Sequence, residues 1–586
     1  MRKIKKIAPY IALFFGFAMY VAAFEPFGVA EFAYVFAVPA FLVARHSKIS
    51  ARAWKVSSFL FAWFAWFAIL IWIRHVYPPS GFFFLIALSL IVGLFLFAWL
   101  LALRRIVLAS SDTLARRLFS ILFLSSLWVF LEWVRSFLFT GFPWLLLGHS
   151  QWMRPAMIQT AEFGGVYIVS FVLIFFNLAL AEFFSKIWKK HKERVAKLSG
   201  EKFPRFRMAP SVELYIAVAM IFGGFWLYVS NLKEMSSPRE GFKVGMVQPD
   251  FAGIMRWDAA LEEANFETIR NLTAALVKAD VDVTLWPESS TPPRYPVLGV
   301  PAVKKWIEEV CKNSGKTILM GNGAYVEENG VGKSYNATFA VCPEKGLSEE
   351  FYAKQKLVPF GEYLPSWCFF VNKTVVPVGG LEKGKGPVLL NATIADSDYK
   401  VGSIICYEDI FPHIGREAVA AGADLLFVCT NDSWYGREGG AWQHAAHSVF
   451  QAVSTRRPLL RSSINGVSGV IDQFGRFAPT FALRNENNEI FDGTGRVSEV
   501  FEIVDEKDNN LDAATLERKK GGPLVNDAGS VYFRGAGFVD LVFYDKFDSY
   551  ETLYVRFGDW FPKLCGIFLA LAIFLRKKCL TPSREK

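Results

Sequence analysis

Apolar runs constrain this chain before anything else does. They lie at about 8–24, 29–44, 57–73, 81–103, 118–139, 164–185 and 212–230, with a last one near 561–575. Most are long enough for a helix to cross the hydrocarbon core, which needs about 20 residues. The stretch between about 235 and 555 reads instead like a soluble α/β domain, and 586 residues are too many for one compact core. The expectation is an α-helical membrane bundle of about eight spans plus an α/β domain. The opening Met1-Arg-Lys-Ile-Lys-Lys, followed by an apolar run, resembles a signal peptide. Seven later runs favour a retained signal-anchor.

The net charge of +10 does not point to nucleic acid, because Lys and Arg cluster in short loops between the apolar runs. No aromatic-interleaved basic groove, zinc-finger or RNP-like pattern accompanies them. The clusters alternate along the chain: Arg2 to Lys6, then Arg45, Lys48, Arg52 and Lys55, then Arg104, Arg105, Arg116 and Arg117. The Lys186–Arg207 loop and the tail with Arg576, Lys577 and Lys578 continue the series, while the loops Phe24–Gly28 and Tyr77–Gly81 carry almost no positive charge. By the positive-inside rule both termini are cytoplasmic. The expected domains are a seven-span membrane domain at 1–234, an extracytoplasmic domain at 235–555, and a final span with a cytoplasmic tail at 556–586.

Glu132 and Arg135 stand out in the fifth run, because charge near hydrocarbon is expensive and pairs or lines a polar cavity. The loop that follows, Phe139-Thr-Gly-Phe-Pro-Trp-Leu145, reads on physics alone as an interfacial aromatic belt. The seven Cys residues, at 311, 342, 368, 406, 429, 565 and 579, have no CxxC pairs or regular spacing, so neither a disulfide framework nor a Cys-based metal site is supported. His444 and His447 have ligand-like helical spacing but no acidic or Cys partner in the pattern, and a packing or hydrogen-bonding role is preferred to a metal. No cofactor is expected.

The middle of the chain alternates strand-like and helix-like segments. Phe242–Gln248, Val281–Trp286, Thr317–Met320, Val401–Ile405, Leu425–Val428 and Leu459–Ser463 read as strands. Trp257–Lys278, Val303–Asn313, 411–421 and 441–456 read as helices, which makes a layered α/β sandwich. Glu288, Lys354 and Cys406 each follow a strand-like segment, where a rigid sheet can aim a side chain into a cleft. A carboxylate can take a thiol proton, and an ammonium favours the thiolate and offsets charge on a tetrahedral intermediate. Taken singly, however, a Cys after a strand is usually core and a lone Lys is usually solvated. Spacing alone does not assemble the three.

A resemblance does. Trp286-Pro-Glu288, the run from Tyr352-Ala-Lys354 to Gly361-Glu362, and Ile405-Cys406-Tyr-Glu408 resemble motifs of the nitrilase superfamily, and more narrowly of the apolipoprotein N-acyltransferase family. Phe24-Glu-Pro-Phe-Gly28 resembles that family's first extracytoplasmic loop, and Glu132-Trp-Val-Arg135 with Thr140-Gly-Phe-Pro-Trp144 resembles a membrane-loop signature absent from soluble nitrilases. Asn431-Asp-Ser-Trp-Tyr-Gly436, Trp442-Gln-His444 and Arg457-Pro-Leu-Leu-Arg461 resemble the late motifs of the domain. The match runs from about Phe24 to Pro562.

The resemblance implies a nitrilase-like α-β-β-α sandwich on the extracytoplasmic side of a bacterial inner membrane. It also implies a ping-pong reaction. Cys406 takes an acyl chain from a membrane phospholipid, phosphatidylethanolamine being the expected donor, and passes it to the α-amino group of the diacylglyceryl-modified N-terminal Cys of an apolipoprotein. Glu288 corresponds to the general base and Lys354 to the group stabilising the tetrahedral intermediate. Glu362 and Glu408 correspond to supporting carboxylates, Tyr407 to the neighbour of the nucleophile, and Trp257 to an aromatic in a substrate-proximal loop. Helix-start packing is an equal reading of Trp257.

The chain departs from the family pattern at Gln451-Ala-Val-Ser454, where a Glu is usual at the last position, at Ile464 in place of Asn, and at Tyr435 in place of Phe. Loss of the carboxylate at 454 is expected to alter support around the site. Residues 484–550 form a longer connection than the family needs. Two other functions fit parts of the pattern: a membrane-tethered amidohydrolase, in which water resolves the acyl-enzyme, and, more remotely, a non-catalytic transporter or scaffold.

Overall fold

The computed structural model describes residues 2–76, 78, 80–109, 113–198, 210–251, 260–291, 296–328, 330–365, 380–494, 497 and 521–580. These form two compact units, Met1–Ser230 with Asp559–Lys586, and Asn231–Gly558.

The first unit is helical. Among the described residues, four helices are long and apolar enough to cross a membrane: Ser80–Ala109, Leu114–Arg135, Val166–Leu198 and Val212–Ser230. Apolar helices over Lys6–Ala22 and Trp560–Leu575 are shorter. The chain is a multi-pass membrane protein, but among the described residues the expected eight spans are not all present as membrane-length apolar helices. Two runs fail for identifiable reasons. Run 29–44 breaks into a 3-10 turn over Ala30–Tyr34 and a helix over Ala37–His46 of only 10 residues, about 15 Å long against a hydrocarbon core of about 30 Å. Asn177 stabilises the break, since its Oδ1 accepts from the Ala37 N–H at 2.9 Å and its Nδ2 donates to the Ala33 carbonyl at 2.8 Å. Run 57–73 belongs to a helix over Ala51–Ile69 that starts with Arg52 and Lys55 and carries Trp54, Trp63 and Trp66, which lowers its apolar character.

Glu132 and Arg135 act on the loop that follows them. Glu132 Oε1 accepts from the Leu147 N–H at 2.6 Å and from Trp128 Nε1 at 2.8 Å. Arg135 donates to the Trp144 and Leu145 carbonyls at 3.2 and 3.3 Å and lies 4.7 Å over the Trp66 ring. The aromatic loop is therefore not a simple belt: Phe139 is exposed, whereas Trp144 is buried and packs on Trp72 and Phe142.

The second unit holds two β-sheets. The first runs β12 (Phe481–Ala482), β13 (Gly535–Phe543), β1 (Arg239–Gln248), β2 (Val283–Trp286), β3 (Thr317–Glu328), β4 (Val331–Cys342) and β5 (Gly346–Leu347), with β6 (Tyr352–Ala353) paired to β4. The second runs β11 (Gly469–Ile471), β10 (Leu459–Ser463), β9 (Leu425–Thr430), β8 (Ser397–Ile405) and β7 (Leu389–Ile394). Side chains alternate between faces with period two. Val244, Met246, Val283 and Leu285 of the first sheet pack with Val401, Ile405, Leu425 and Phe427 of the second. Val247 and Trp286 turn the other way, onto the helices Glu262–Lys278 and Pro301–Ser314. Helices Pro412–Ala420 and Gly440–Thr455 pack against the second sheet. The result is a helix–sheet–sheet–helix sandwich, as expected.

The connection 484–550 is partly structural rather than surplus. Its β13 pairs antiparallel with β1 from Gln248↔Gly535 to Arg239↔Phe543.

Candidate active site

Three chain reversals bring the candidate residues together. Glu288 lies two residues beyond β2, Lys354 directly after β6, and Cys406 directly after β8, so both sheets contribute. Cys406 opens a 3-10 turn, Cys406–Ile410, with its backbone in the left-handed region at φ 50°, and Ser289 beside the carboxylate has φ 46°. Such conformations are unfavourable for residues with a Cβ and persist where the surroundings hold them. Gly321 on β3 makes room for the Glu288 strand end: a Cβ there would fall 2.8 Å from Glu288 Cα and 2.9 Å from Cys429 Sγ.

Lys354 is 1% exposed. Its Nζ donates to Glu362 Oε1 at 2.8 Å and lies 3.6 Å from Glu288 Oε1. Burial pulls this ammonium towards neutrality, but the Glu362 and Glu288 carboxylates outweigh it and raise its pKa, so it stays charged. Asn336 joins the two carboxylates, donating from Nδ2 to Glu288 Oε1 at 2.8 Å and to Glu362 Oε1 at 3.1 Å. The Val358 N–H holds Glu362 Oε2 at 2.7 Å.

The Cys406 thiol is buried, and burial together with the Glu288 charge pushes its pKa up to about 12, against the opposing pull of Lys354, the Thr430 hydroxyl and the Asn431 N–H. The resting group is therefore the thiol, and a nearby base must remove its proton for it to act as a nucleophile.

Glu408 braces the site. Its Oε1 accepts from the Gln355 and Lys356 N–H groups at 2.5 and 3.0 Å, and its Oε2 from the Ile405 N–H at 2.8 Å and the Tyr352 hydroxyl at 2.9 Å. One carboxylate thus ties the segment bearing Lys354 to the turn bearing Cys406. Burial pushes its pKa up to about 7 in spite of these donors. Tyr407 is half-buried, edge-on to Phe411 with centroids 5.3 Å apart. Glu288, Lys354, Cys406, Glu362, Tyr407 and Glu408 are thus brought to one place, while Trp257 lies outside the described residues.

Asn336, Thr430 and Asn431 complete the surroundings, and sequence reasoning did not single out Asn336. It lies within a strand, 48 residues from Glu288, and only the β3–β4 pairing turns it inward. At the departures from the family pattern, the Ser454 carbonyl accepts from Thr552 Oγ1 at 2.7 Å, and Ile464 packs into the core between the first sheet and its helices. Among the described residues no group of three or more His, Cys, Asp or Glu could hold a metal ion.

Two family models match the chain: the apolipoprotein N-acyltransferase N-terminal domain over residues 17–179, and carbon-nitrogen hydrolase over 243–490. A protein of Geobacter metallireducens named apolipoprotein N-acyltransferase is 30% identical over 381 residues, 63% of this chain and 68% of its own length. A protein of the same name from Brucella suis biovar 1 is 30% identical over 437 residues, covering 70% of this chain and 76% of that one. Apolipoprotein N-acyltransferase 1 of Treponema denticola is 26% identical over 486 residues, 76% of this chain and 82% of that one. A solved amidase of the nitrilase superfamily from Nesterenkonia sp. AN1 is 14% identical with a TM-score of 0.35, over 57% of this chain and 99% of that one, a likeness too distant to add to the assignment. With a helical membrane unit, a separate carbon-nitrogen hydrolase unit and relatives of this name matching across most of its length, the chain belongs to the apolipoprotein N-acyltransferase family.

Proposed function

We propose that this protein transfers a fatty acyl chain from a membrane phospholipid to the α-amino group of a diacylated apolipoprotein through a thioester on Cys406. The observation that carries the reading is a buried thiol, on a left-handed residue, under the opposing influence of the Glu288 carboxylate and the Lys354 ammonium.

Glu288 takes the Sγ proton as the sulfur attacks the ester carbonyl of the phospholipid. Lys354, charged and held by Glu362, offsets the negative charge on the tetrahedral oxygen. Collapse breaks the ester C–O bond, and the leaving lysophospholipid oxygen takes the proton from Glu288. The acceptor amine then attacks the thioester and gives a proton to Glu288. The C–S bond breaks, and the proton returns to Sγ as the amide is released. Glu408 and Asn336 form and break no covalent bond in these steps: Asn336 hydrogen-bonds the Glu288 base, and the two act by positioning Lys354, Glu288 and the Cys406 turn.

The alternating basic loops support a bacterial cytoplasmic-membrane location with the sheet unit on the extracytoplasmic side. Cysteines introduced at Lys345 and Lys192, in a background without accessible thiols, should respectively label and not label with an impermeant reagent on intact cells. The opposite pattern would reverse the topology.

The activity is tested by giving the purified protein phospholipid and a diacylated lipopeptide. Triacylated product is expected. Free fatty acid released at the same rate with or without lipopeptide would make the protein a hydrolase instead.

A further inference from the structure

Beneath the nucleophile turn lies a polar network that the proposed reaction does not use. Arg461, on β10, donates from one terminal nitrogen to Asp409 Oδ2 at 2.9 Å and from the other to Asp432 Oδ2 at 2.9 Å. Ser448 donates to the same Asp409 oxygen at 2.5 Å. His444 places Nδ1 2.9 Å from Asp432 Oδ1 and 3.1 Å from the second Arg461 nitrogen. Its other nitrogen, Nε2, lies 3.1 Å from the carbonyl oxygen of Cys406. Asp409, Asp432, His444, Ser448 and Arg461 are all fully buried. Asp409 Oδ1 has no hydrogen-bond partner among the described residues, but the remaining charge-assisted contacts are costly to break at such depth and leave the network little freedom to move.

The carbonyl it reaches belongs to the residue whose backbone is least favourable. With φ at 50°, Cys406 needs its peptide groups held on both sides. Glu408 holds the Ile405 N–H, one peptide group back from those that flank Cys406, at 2.8 Å, and His444 holds the Cys406 carbonyl itself at 3.1 Å. The carbonyl can only accept, so the ring donates from Nε2 whether or not Nδ1 also carries a proton.

We infer that His444 is a positioning residue for the nucleophile: its Nε2–H fixes the Cys406 carbonyl, and Asp432 (when Nδ1 carries a proton) or Arg461 (when it does not) fixes the ring, so that Sγ is aimed at the acyl carbonyl. This rests on the reading of Cys406 as the nucleophile. It also accounts for the motifs around Asp432, His444 and Arg461, which are 12 and 17 residues apart and meet under one peptide group. A misplacement of about 1 Å at a reacting atom can lower a rate on the order of a hundredfold.

The test is pre-steady-state acylation of the full-length enzyme by phospholipid alone, reading the amplitude and the rate constant of thioester formation separately. His444→Leu removes the donor, and His444→Gln keeps an N–H able to reach the carbonyl. A structural defect would lower the amplitude and leave the rate constant of the surviving molecules unchanged. Positioning predicts a rate constant lower by about thirtyfold or more in His444→Leu, recovered to within about fivefold in His444→Gln, with little change in the phospholipid KM. If His444→Leu does not fold, Asp432→Asn, which loosens the ring while keeping its volume, should lower the rate constant about tenfold. A rate constant within about threefold of the parent in the variant that folds would overturn the inference. Cys406→Ala, run alongside, separates the two levels: an adduct that persists there refutes the nucleophile itself, whatever His444 does.

Discussion

The two units bury charge to different ends. In the helical unit, Glu213 Oε1 takes Lys186 Nζ at 2.6 Å and Arg117 Nε at 3.1 Å, and Arg45 meets Glu182 at 2.9 Å. Glu132 and Arg135 hold loop backbone. These groups join helix to helix or fix a loop, and none of the hydrogen bonds and ion pairs described for them involves a nucleophile. In the sheet unit, Lys354 and Glu288 are buried and Glu362 half-buried beside them, and the charges of Glu288 and Lys354 fall on the Cys406 thiol. Buried charge is thus no mark of a reactive site by itself. Its convergence on a group that can form a covalent bond is.

The largest expected effects lie in the sheet unit, where two substitutions should act alike on turnover and oppositely on the thiol. Glu288→Gln and Lys354→Met should each lower acyl transfer by about a hundredfold or more. Removing the Glu288 charge takes away a cause of the raised thiol pKa, so the thiolate should form at lower pH. Removing the Lys354 charge should move it to higher pH. Alkylation of Cys406 by iodoacetamide, followed by peptide mass between pH 7 and 10, reads this directly. In the parent it should rise through the whole range without a plateau, because the thiol titrates near 12. Shifts in the same direction for both variants would break the electrostatic account. Lys354→Met also strands two carboxylates and should destabilise the unit by about 3–5 kcal/mol in thermal or denaturant unfolding.

An intermediate effect is expected in the helical unit. Glu132→Ala removes the acceptor of the Leu147 N–H and of Trp128 Nε1 and should destabilise the protein by about 2 kcal/mol. The rate constant of thioester formation per folded molecule should stay near the parent value. A fall in that rate constant without loss of stability would erase the distinction between the units.

How much of this was legible in the sequence follows from range. Short-range patterns carried well: Leu459–Ser463 is a strand as read, and the helix read over 441–456 spans Gly440–Thr455. Long-range pairings did not, because a single sequence holds no sign of them. β13, which comes from nearly 300 residues away to close on β1, lies within the connection 484–550; nearer in sequence, Thr317–Met320 reads as a strand, but its extension and its partner β4, which turn Asn336 inward, go unassigned. The triad needed the family's motifs, since Glu288, Lys354 and Cys406 meet only when two sheets stack. The run at 29–44 misled because its break is stabilised from elsewhere, by Asn177 on another helix.

The smallest effect is expected on the surface. Lys305 and Glu309 form an exposed pair one helical turn apart at 3.8 Å, and Lys305→Ala should change stability by less than about 0.5 kcal/mol and leave turnover unchanged. A larger loss would mean that solvent-exposed charge carries weight assigned here to buried charge alone.

The central claim is that the buried charges of the sheet unit serve a covalent step on one thiol, and intact-protein mass after incubation with phospholipid and no acceptor tests it most directly. The account predicts a gain of one fatty acyl group, mapped to Cys406, removed by neutral hydroxylamine, absent in Cys406→Ala, present in Cys429→Ala, and discharged by diacylated lipopeptide as triacylated product. An adduct that survives in Cys406→Ala, or that maps to another residue, would contradict it.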